Sequence, residues 1–119
     1  MDGLLIVDKP SGITSHDVVA RARRLLRERR IGHTGTLDPM ATGVLPLVVG
    51  RATRLARFLS AADKRYAATI RLGVSTDTYD AAGAPVGPAC EGPWPDPDAV
   101  DTALAAFRGT FLQQPPAFS

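Results

Sequence analysis

The chain has 119 residues, of which 45% are hydrophobic and 22% charged, and this balance indicates a globular rather than a disordered protein. Its single cysteine excludes an internal disulfide and favours a reducing compartment, so we expect a cytoplasmic protein. The net charge is only +2, but the charges are unevenly distributed. Residues 1–71 hold 13 of the 14 Lys and Arg side chains and six acidic ones, whereas residues 72–119 hold one basic and six acidic side chains. This asymmetry indicates a basic surface for a polyanionic partner.

The first predicted elements are a short buried strand and an amphipathic helix. Residues 4–7 form an apolar run that predicts the strand and is too short for a membrane span, so no membrane partner is expected. Thr14 is predicted to cap the helix, Asp17 suits its positive end, and Gly32 is predicted to end it. The apolar positions at helical spacing, which predict the buried face, are Val18, Val19, Ala22, Leu25 and Leu26.

Arginine dominates the opposite face of this helix and the residues just after it. Arginine forks match phosphate oxygens in pairs, and the counterions they release supply affinity that does not depend on base sequence. The pattern therefore favours phosphate binding, with a solvated face near the negative end of the helix as the alternative. The arginines concerned are Arg21, Arg23, Arg24, Arg27, Arg29 and Arg30.

A glycine-rich loop follows, over residues 32–43, and contains His33 and a lone carboxylate, Asp38. Pro39 biases Asp38 toward extended geometry, because the proline ring clashes with a helical residue before it. The glycines let the backbone come close to a ligand. The loop therefore predicts a stiffly presented acid. The alternative is a tight surface turn in which Asp38 only caps a backbone amide.

A strand is predicted over residues 44–49, and because Pro46 lies inside it, we expect the strand to be interrupted or at a sheet edge. A helix is predicted from about Thr53 to Ala62. It carries Arg54, for which RNA contact and ordinary solvation are equally good interpretations. The residues expected on its buried side are Leu55, Phe58, Leu59 and Ala62.

Over residues 66–72 the side chains Tyr66, Ala68, Ile70 and Leu72 alternate with Ala67, Thr69 and Arg71, which predicts a further strand with these two sets on opposite faces. In this strand Tyr66 is either a core aromatic or a side chain that reaches into a cleft. Residues 83–97 are rich in Gly and Pro and predict a connector. Asp96 and Pro97 then predict the start of a last helix, which Gly109 ends. The residues predicted on its buried side are Val100, Leu104 and Phe107.

Five motifs occur in the order and at the spacing of one protein family. They are GLLIVDKPSG (3–12), GHTGTLDPMATGVL (32–45), DKRY (63–66), LGVSTDTYD (72–80) and FRG (107–109). In these motifs the chain resembles the TruB family of tRNA pseudouridine synthases. The resemblance implies an α+β chain with the mixed-sheet pseudouridine synthase fold, truncated to its N-terminal portion. Residues 1–119 would be the N-terminal part of the catalytic domain, with the rest of that domain and a C-terminal RNA-binding domain absent.

The resemblance also implies a reaction, the isomerisation of uridine 55 in the T-loop of tRNA to pseudouridine. The nucleotide must be flipped out of its stack before such chemistry. Asp38 would be the catalytic residue, which attacks the sugar or the base or first removes a ribose proton, and it would be partly sheltered from water. The reaction is redox-neutral, so no cofactor and no metal are implied. The expected partner is the T-arm of tRNA, bound by a monomer.

The other site residues also come from the resemblance. Tyr66 would stack on the flipped uracil. His33 would fill the space that the base vacates, unless it is a polar loop residue bonded to a local carbonyl. Gly35 would let the backbone approach the substrate, and Lys9 would either bind the substrate or hold the turn after the first strand. The contacts to the RNA backbone would come from Arg27, Arg29, Arg30 and Arg54.

Two other functions are alternatives at this stage. One is a noncatalytic RNA-binding fragment, and the other is a guide-RNA-dependent relative that modifies ribosomal RNA. The closeness of the motifs to bacterial members favours the tRNA enzyme. A sheet truncated in this way would expose an edge and apolar faces, so we expect the isolated chain to be poorly soluble or partly disordered.

Overall fold

The computed structural model describes residues 1–115 and divides the chain into two compact units, Met1–Tyr66 and a second unit that begins at Ala67. The first unit contains a three-stranded sheet with a helix packed on it, and the second contains a turn-rich segment and a helix. This combination confirms the predicted α+β class. The predicted continuation of the family motif through residues 116–119 lies outside the described residues.

The sheet of the first unit has the strand order β1-β3-β2, and both pairings are antiparallel. β1 is Gly3–Lys9, β2 is Ile31–His33 and β3 is Gly43–Val49. The strands predicted over residues 4–7 and 44–49 are therefore confirmed. The expected position of the second one was wrong, because β3 is continuous and lies in the centre of the sheet.

Pro46 is accommodated in this central strand because its missing N–H faces the end of β2. The Pro46 carbonyl accepts a hydrogen bond from the Thr34 N–H at 3.1 Å, so the absent N–H would lie on the same side of the strand. β2 ends at His33. The proline therefore removes only a hydrogen bond at the end of that ladder, while the pairing with β1 continues along the whole strand.

The first helix, α1, spans Ser15–Leu26 and begins with the predicted cap. The Thr14 hydroxyl accepts from the Asp17 N–H at 3.0 Å, and the Asp17 carboxylate accepts from the Thr14 N–H at 2.9 Å. The hydrogen bonds from the Thr14 backbone and side chain hold the pKa of Asp17 below its usual value. The predicted end was wrong, since Arg27 leaves the helix in a left-handed conformation with φ 51° and Gly32 lies in β2.

α1 packs on one face of the sheet, and the two together form the core. The prediction of buried residues on α1 is confirmed for three positions, while Leu26 is half-buried. Leu25 is exposed, because it lies at the margin of the apolar stripe in the last turn. The buried apolar residues of the core are Val18, Val19, Ala22, Ile31, Leu45, Leu47 and Val49.

The segment after β3 is helical but packs less than predicted. A 3-10 helix spans Gly50–Leu55, and one α-helical turn, α2, spans Ala56–Leu59. Such a short helix has little surface to bury, and Phe58 instead lies under the Arg57 guanidinium at 4.6 Å from the ring centre. Of the residues predicted to be buried, Leu59 is half-buried and the exposed ones are Leu55, Phe58 and Ala62.

The strand predicted over residues 66–72 is absent from the described structure. A strand requires a partner for its backbone N–H and C=O groups, and none of the strands described in residues 1–115 pairs with this segment. Alternation of side chains was therefore not sufficient to form a strand here.

The second unit contains the helix α3, Pro97–Leu104, which continues as a 3-10 turn, Ala105–Phe107. The predicted cap is confirmed, since the Asp96 carboxylate accepts from the Ala99 N–H at 2.7 Å. The predicted burial of this helix is not confirmed, because Val100 is half-buried and Leu104 and Phe107 are exposed. The predicted connector over residues 83–97 is confirmed, with only an isolated bridge at Pro85 before the helix. No helix in residues 1–115 is long and apolar enough to cross a membrane.

The sheet face opposite α1 carries apolar side chains that are open to solvent. Leu4 and Ile6 on β1 and Val44 on β3 point to this face, and they are 56%, 61% and 69% exposed. An uncovered apolar face beside an edge strand favours self-association.

We predict that Ile6→Thr reduces self-association of the 119-residue chain, because it removes apolar surface and keeps a β-branched residue. The free energy of unfolding should change by less than about 0.5 kcal/mol. Sedimentation velocity over a concentration series and urea unfolding measure the two effects. The control is Leu45→Ala at a position with 0% exposure, which should destabilise the chain by about 2–5 kcal/mol. Equal destabilisation by both variants would show that the Ile6 face is covered.

Candidate active site

Asp38 lies in the loop between β2 and β3, and this loop is tied to the start of α1. The Ser15 hydroxyl donates to the Leu37 carbonyl at 3.1 Å and accepts from the Leu37 N–H at 2.9 Å. The Asp38 carbonyl accepts from the Ala41 N–H at 2.9 Å. The Asp38 carboxylate itself makes no hydrogen bond within residues 1–115. The alternative in which Asp38 merely caps a backbone amide is therefore not supported.

Lys9, at the end of β1, is completely buried with 0% exposure. Its ammonium donates to the carbonyls of Pro10, Ile13 and Pro39 at 2.8, 2.7 and 3.1 Å. An ammonium has three N–H donors, so all of them are used inside the protein. The geometry thus corrects the predicted substrate contact of Lys9. It favours the other role that the sequence left open, since Lys9 joins the turn after β1 to the residue that follows Asp38.

Ser15 was not singled out by the sequence, although the structure makes it part of the loop's support. It is only 2% exposed, and both hydrogen bonds of its hydroxyl go to Leu37. One signal could have found it. Ser15 precedes Val18, Val19 and Ala22 at helical spacing and is therefore a polar residue on the apolar stripe of α1. A polar residue in such a position needs a hydrogen-bond partner.

His33 is the last residue of β2, and Gly35 lies in the loop between β2 and β3. The Nδ1 atom of the His33 ring is buried and has no hydrogen-bond partner within residues 1–115, so a bond from this atom to a local carbonyl is not supported. At Gly35, a Cβ would lie 2.9 Å from Cε of Lys64. In the described structure this glycine therefore makes room for the Lys64 side chain, whereas the sequence predicted close approach of the substrate.

Asp38 and Tyr66 are both exposed, and Tyr66 is 65% exposed. The interpretation of Tyr66 as a core aromatic is therefore wrong. The shelter from water that we expected around Asp38 is also not supplied by residues 1–115. What these residues supply is a fixed backbone that presents an accessible carboxylate.

The described arginines divide into free and structural ones. The Arg23 guanidinium donates to the Ile31 carbonyl at 2.8 Å. Arg51 pairs with Asp2 at 2.7 Å, and hydrogen bonds from the Arg51 backbone and side chain hold the pKa of Asp2 below its usual value. The arginines predicted to bind the RNA backbone are exposed and donate no side-chain hydrogen bond to any residue of the described part; they are Arg27, Arg29, Arg30 and Arg54.

The described residues offer the chemistry of a single fixed carboxylate. A carboxylate presented in this way can act as a nucleophile or as a base toward a substrate brought against the loop. Within residues 1–115, no group of three His, Cys, Asp or Glu side chains is placed to hold a metal ion.

Comparison with known sequences identifies close relatives over the whole chain. A family model described as TruB family pseudouridylate synthase (N terminal domain) matches residues 23–119. The chain is 58% identical over 119 residues to tRNA pseudouridine synthase B of Gloeobacter violaceus, and 51% identical over the same length to that of Solibacter usitatus. Each match covers 100% of this chain and 40% of the relative. The chain therefore spans less than half the length of these curated relatives.

The fold of this chain also matches that of a protein whose structure has been solved. The crystal structure of a Cbf5–Nop10–Gar1 complex matches with a TM-score of 0.63 and 28% sequence identity. The match covers 98% of this chain and 30% of the chain in that complex. This similarity supports the predicted fold over nearly the full length.

We predict that Lys9→Met destabilises the chain by roughly 3 kcal/mol or more, because it leaves the carbonyls of Pro10 and Ile13 without their donor and takes one of two donors from that of Pro39. Denaturant unfolding measures the loss. Lys64→Met is the matched control, since the Lys64 ammonium also donates to carbonyls, those of Ser60 and Ala62 at 2.8 and 3.3 Å, but is exposed. Water can replace an exposed donor, so this variant should change the free energy of unfolding by less than about 0.5 kcal/mol. A Lys9→Met protein as stable as the control would contradict the structural role.

Proposed function

The chain belongs to the TruB family of pseudouridylate synthases, and we propose that it is the Asp38-bearing part of an enzyme that converts uridine 55 in the T-loop of tRNA to pseudouridine. The observation that carries the proposal is the loop of Asp38, which is tied on both sides and presents a carboxylate that makes no hydrogen bond within residues 1–115. We propose that residues 1–119 form the N-terminal part of the catalytic domain. The coverage of 40% of the curated relatives supports this.

In the proposed reaction the bond between N1 of uracil and C1′ of ribose breaks, the uracil turns, and C5 is joined to C1′. The hydrogen on C5 leaves as a proton and N1, released from C1′, takes up a proton, so the product has the same composition as the substrate. Asp38 acts as nucleophile or base in this sequence. The uridine must first be flipped out, at a cost of a few kcal/mol.

Three further residues have proposed roles at the flipped nucleotide. Tyr66 stacks on the uracil, a contact worth about 1–3 kcal/mol. Its exposure supports this role, because an exposed ring is available to a base. His33, which is half-buried at the end of β2, fills the space that the base leaves. Gly35 contributes no side chain at its position in the loop.

The exposed arginines bind the RNA backbone in this proposal. Arg27, Arg29 and Arg30 follow one another between α1 and β2, and Arg54 lies on the 3-10 helix after β3. Their guanidinium groups are free within the described residues, so they can pair with phosphate oxygens without breaking an internal contact. The proposed substrate is the T-arm of tRNA, bound by a monomer in the cytoplasm.

The guide-RNA-dependent alternative is less well supported. The relatives that match at 51% and 58% identity over the whole chain are named as tRNA enzymes, whereas the Cbf5 complex matches at 28%. The noncatalytic RNA-binding alternative differs from the proposal in a single measurable property, which is turnover.

We predict that tRNA labelled with tritium at uracil C5 loses its label when treated with a chimera of this chain and the part of the Gloeobacter violaceus relative that follows the matched region. Asp38→Asn in the chimera should reduce release by at least about 10³-fold, because the amide is neither a nucleophile nor a base. Scintillation counting of released tritium measures both.

The same assay separates the alternatives. Release by the chimera together with none by the 119-residue chain would support the proposed N-terminal part of a catalytic domain. Release retained by Asp38→Asn would overturn the catalytic role of Asp38. Binding of tRNA without release by the chimera would favour the noncatalytic module.

We predict that replacing Arg27, Arg29 and Arg30 with Gln weakens tRNA binding and reduces the slope of log K against log salt by about 2–3, since each phosphate contact contributes nearly one to this slope. Filter binding over a salt series measures the slope. A matched pair tests the division of arginines. Arg54→Gln should reduce the slope, whereas Arg51→Gln should leave it nearly unchanged because Arg51 is paired with Asp2. Equal effects of these two would refute the assignment.

A further inference from the structure

We infer that Ser15 is a positioning residue for Asp38, acting through the backbone of Leu37. The inference rests on the proposed function, because it concerns the direction in which the carboxylate is presented. Within residues 1–115 the Ser15 hydroxyl makes no hydrogen bond to the Asp38 carboxylate. Both hydrogen bonds that this hydroxyl makes within residues 1–115 go to Leu37.

The direction of the Asp38 side chain depends on the two peptide groups that flank its Cα. The peptide between Leu37 and Asp38 contains the Leu37 carbonyl, which Ser15 holds at 3.1 Å. The peptide between Asp38 and Pro39 contains the Asp38 carbonyl, which the Ala41 N–H holds at 2.9 Å. Because each peptide is planar, fixing the two carbonyls fixes the rotations on either side of the Cα. The Cα–Cβ bond then points in one direction.

Ser15 differs from the other supports of the loop in where it comes from. The Ala41 contact is a turn within the loop itself, and it would persist if the loop moved as a body. Lys9 binds the carbonyl of Pro39, the residue after Asp38, and this carbonyl belongs to neither of the two peptide groups that flank the Asp38 Cα. Ser15 lies on α1 and binds the Leu37 N–H as well as its carbonyl. It is therefore the direct connection between the helix and the first of the two peptide planes.

The burial of Ser15 makes this connection rigid. With 2% of Ser15 exposed, water has little access to replace its hydroxyl. Loss of the hydroxyl would leave the Leu37 N–H and carbonyl free to turn, and the carboxylate would sample directions that do not face the reacting atoms. A displacement of about 1 Å in a catalytic group can lower the rate by about 10²-fold. Binding of tRNA by the exposed arginines, which do not contact Ser15 through a hydrogen bond in the described residues, would be unaffected.

Thr14 provides a matched control for Ser15. Both are hydroxyl residues at the start of α1, and the Thr14 hydroxyl accepts a structural hydrogen bond from the Asp17 N–H at 3.0 Å. Thr14 makes no side-chain contact with the Asp38 loop in the described hydrogen-bond network. Thr14→Ala therefore removes a helix cap and lowers stability without releasing Leu37.

The test compares Ser15→Ala, Ser15→Cys and Thr14→Ala in the form of the protein that releases tritium from labelled tRNA. We expect Ser15→Ala to lower kcat by about 10–100-fold with KM within about twofold, and Ser15→Cys, whose thiol is a weak donor, to fall between it and the wild type. Thr14→Ala should keep kcat within about twofold below its melting temperature. Ser15→Cys keeps the test available if Ser15→Ala does not fold.

A second measurement examines the hydrogen bond itself in the 119-residue chain. Amide exchange at Leu37 should be faster in Ser15→Ala than in the wild type, and unchanged in Thr14→Ala. Equal kcat in the Ser15 and Thr14 variants, or a Ser15 effect confined to KM, would overturn the inference while the proposed function stands. Absence of label release by the wild type would instead overturn the proposed function and the positioning role with it.

Discussion

The buried ammonium of Lys9 is the interaction on which the candidate site depends. A charge in the protein interior is tolerated when it is fully hydrogen-bonded, and Lys9 meets this condition with the carbonyls of Pro10, Ile13 and Pro39. Two of these carbonyls belong to the turn before α1, and the third follows Asp38. The turn and the loop therefore share one cation. Neither can shift without leaving a buried polar group unpaired.

This constraint explains the glycine in the turn after β1. Gly12 has a φ of +92°, a region in which L-residues with a side chain are strained. In that conformation its N–H donates to the Pro39 carbonyl at 2.7 Å, the same oxygen that Lys9 holds at 3.1 Å. Space is not the reason for the glycine, since a Cβ there would meet no atom within 4 Å. The reason is the direction of the backbone, because it lets the Gly12 N–H and the Lys9 ammonium donate to the same Pro39 carbonyl.

The features predicted correctly from the sequence were those whose determinants are local. The caps at Thr14 and Asp96 are set by residues three positions away, and both were predicted. The errors concern non-local partners. Pro46 lies in a central strand because β2 ends opposite it, which no local pattern encodes. The burial of Phe58 and the strand at residues 66–72 were wrongly predicted from periodicity, which does not reveal whether a packing partner is present.

The same reasoning applies to the site. Asp38 could be predicted from its motif, whereas the supporting role of Ser15 depends on a contact with Leu37, 22 positions along the chain, and that of Lys9 on a contact with Pro39, 30 positions along. Holding the carboxylate and sheltering it are therefore separate tasks in this protein. Contacts among residues 9–41 accomplish the first within the chain, while Asp38 and Tyr66 are exposed. Under the proposed function, shelter comes from the bound RNA. Because water exclusion strengthens the electrostatic effect of a carboxylate, the proposed catalytic role of Asp38 requires shelter as well as order.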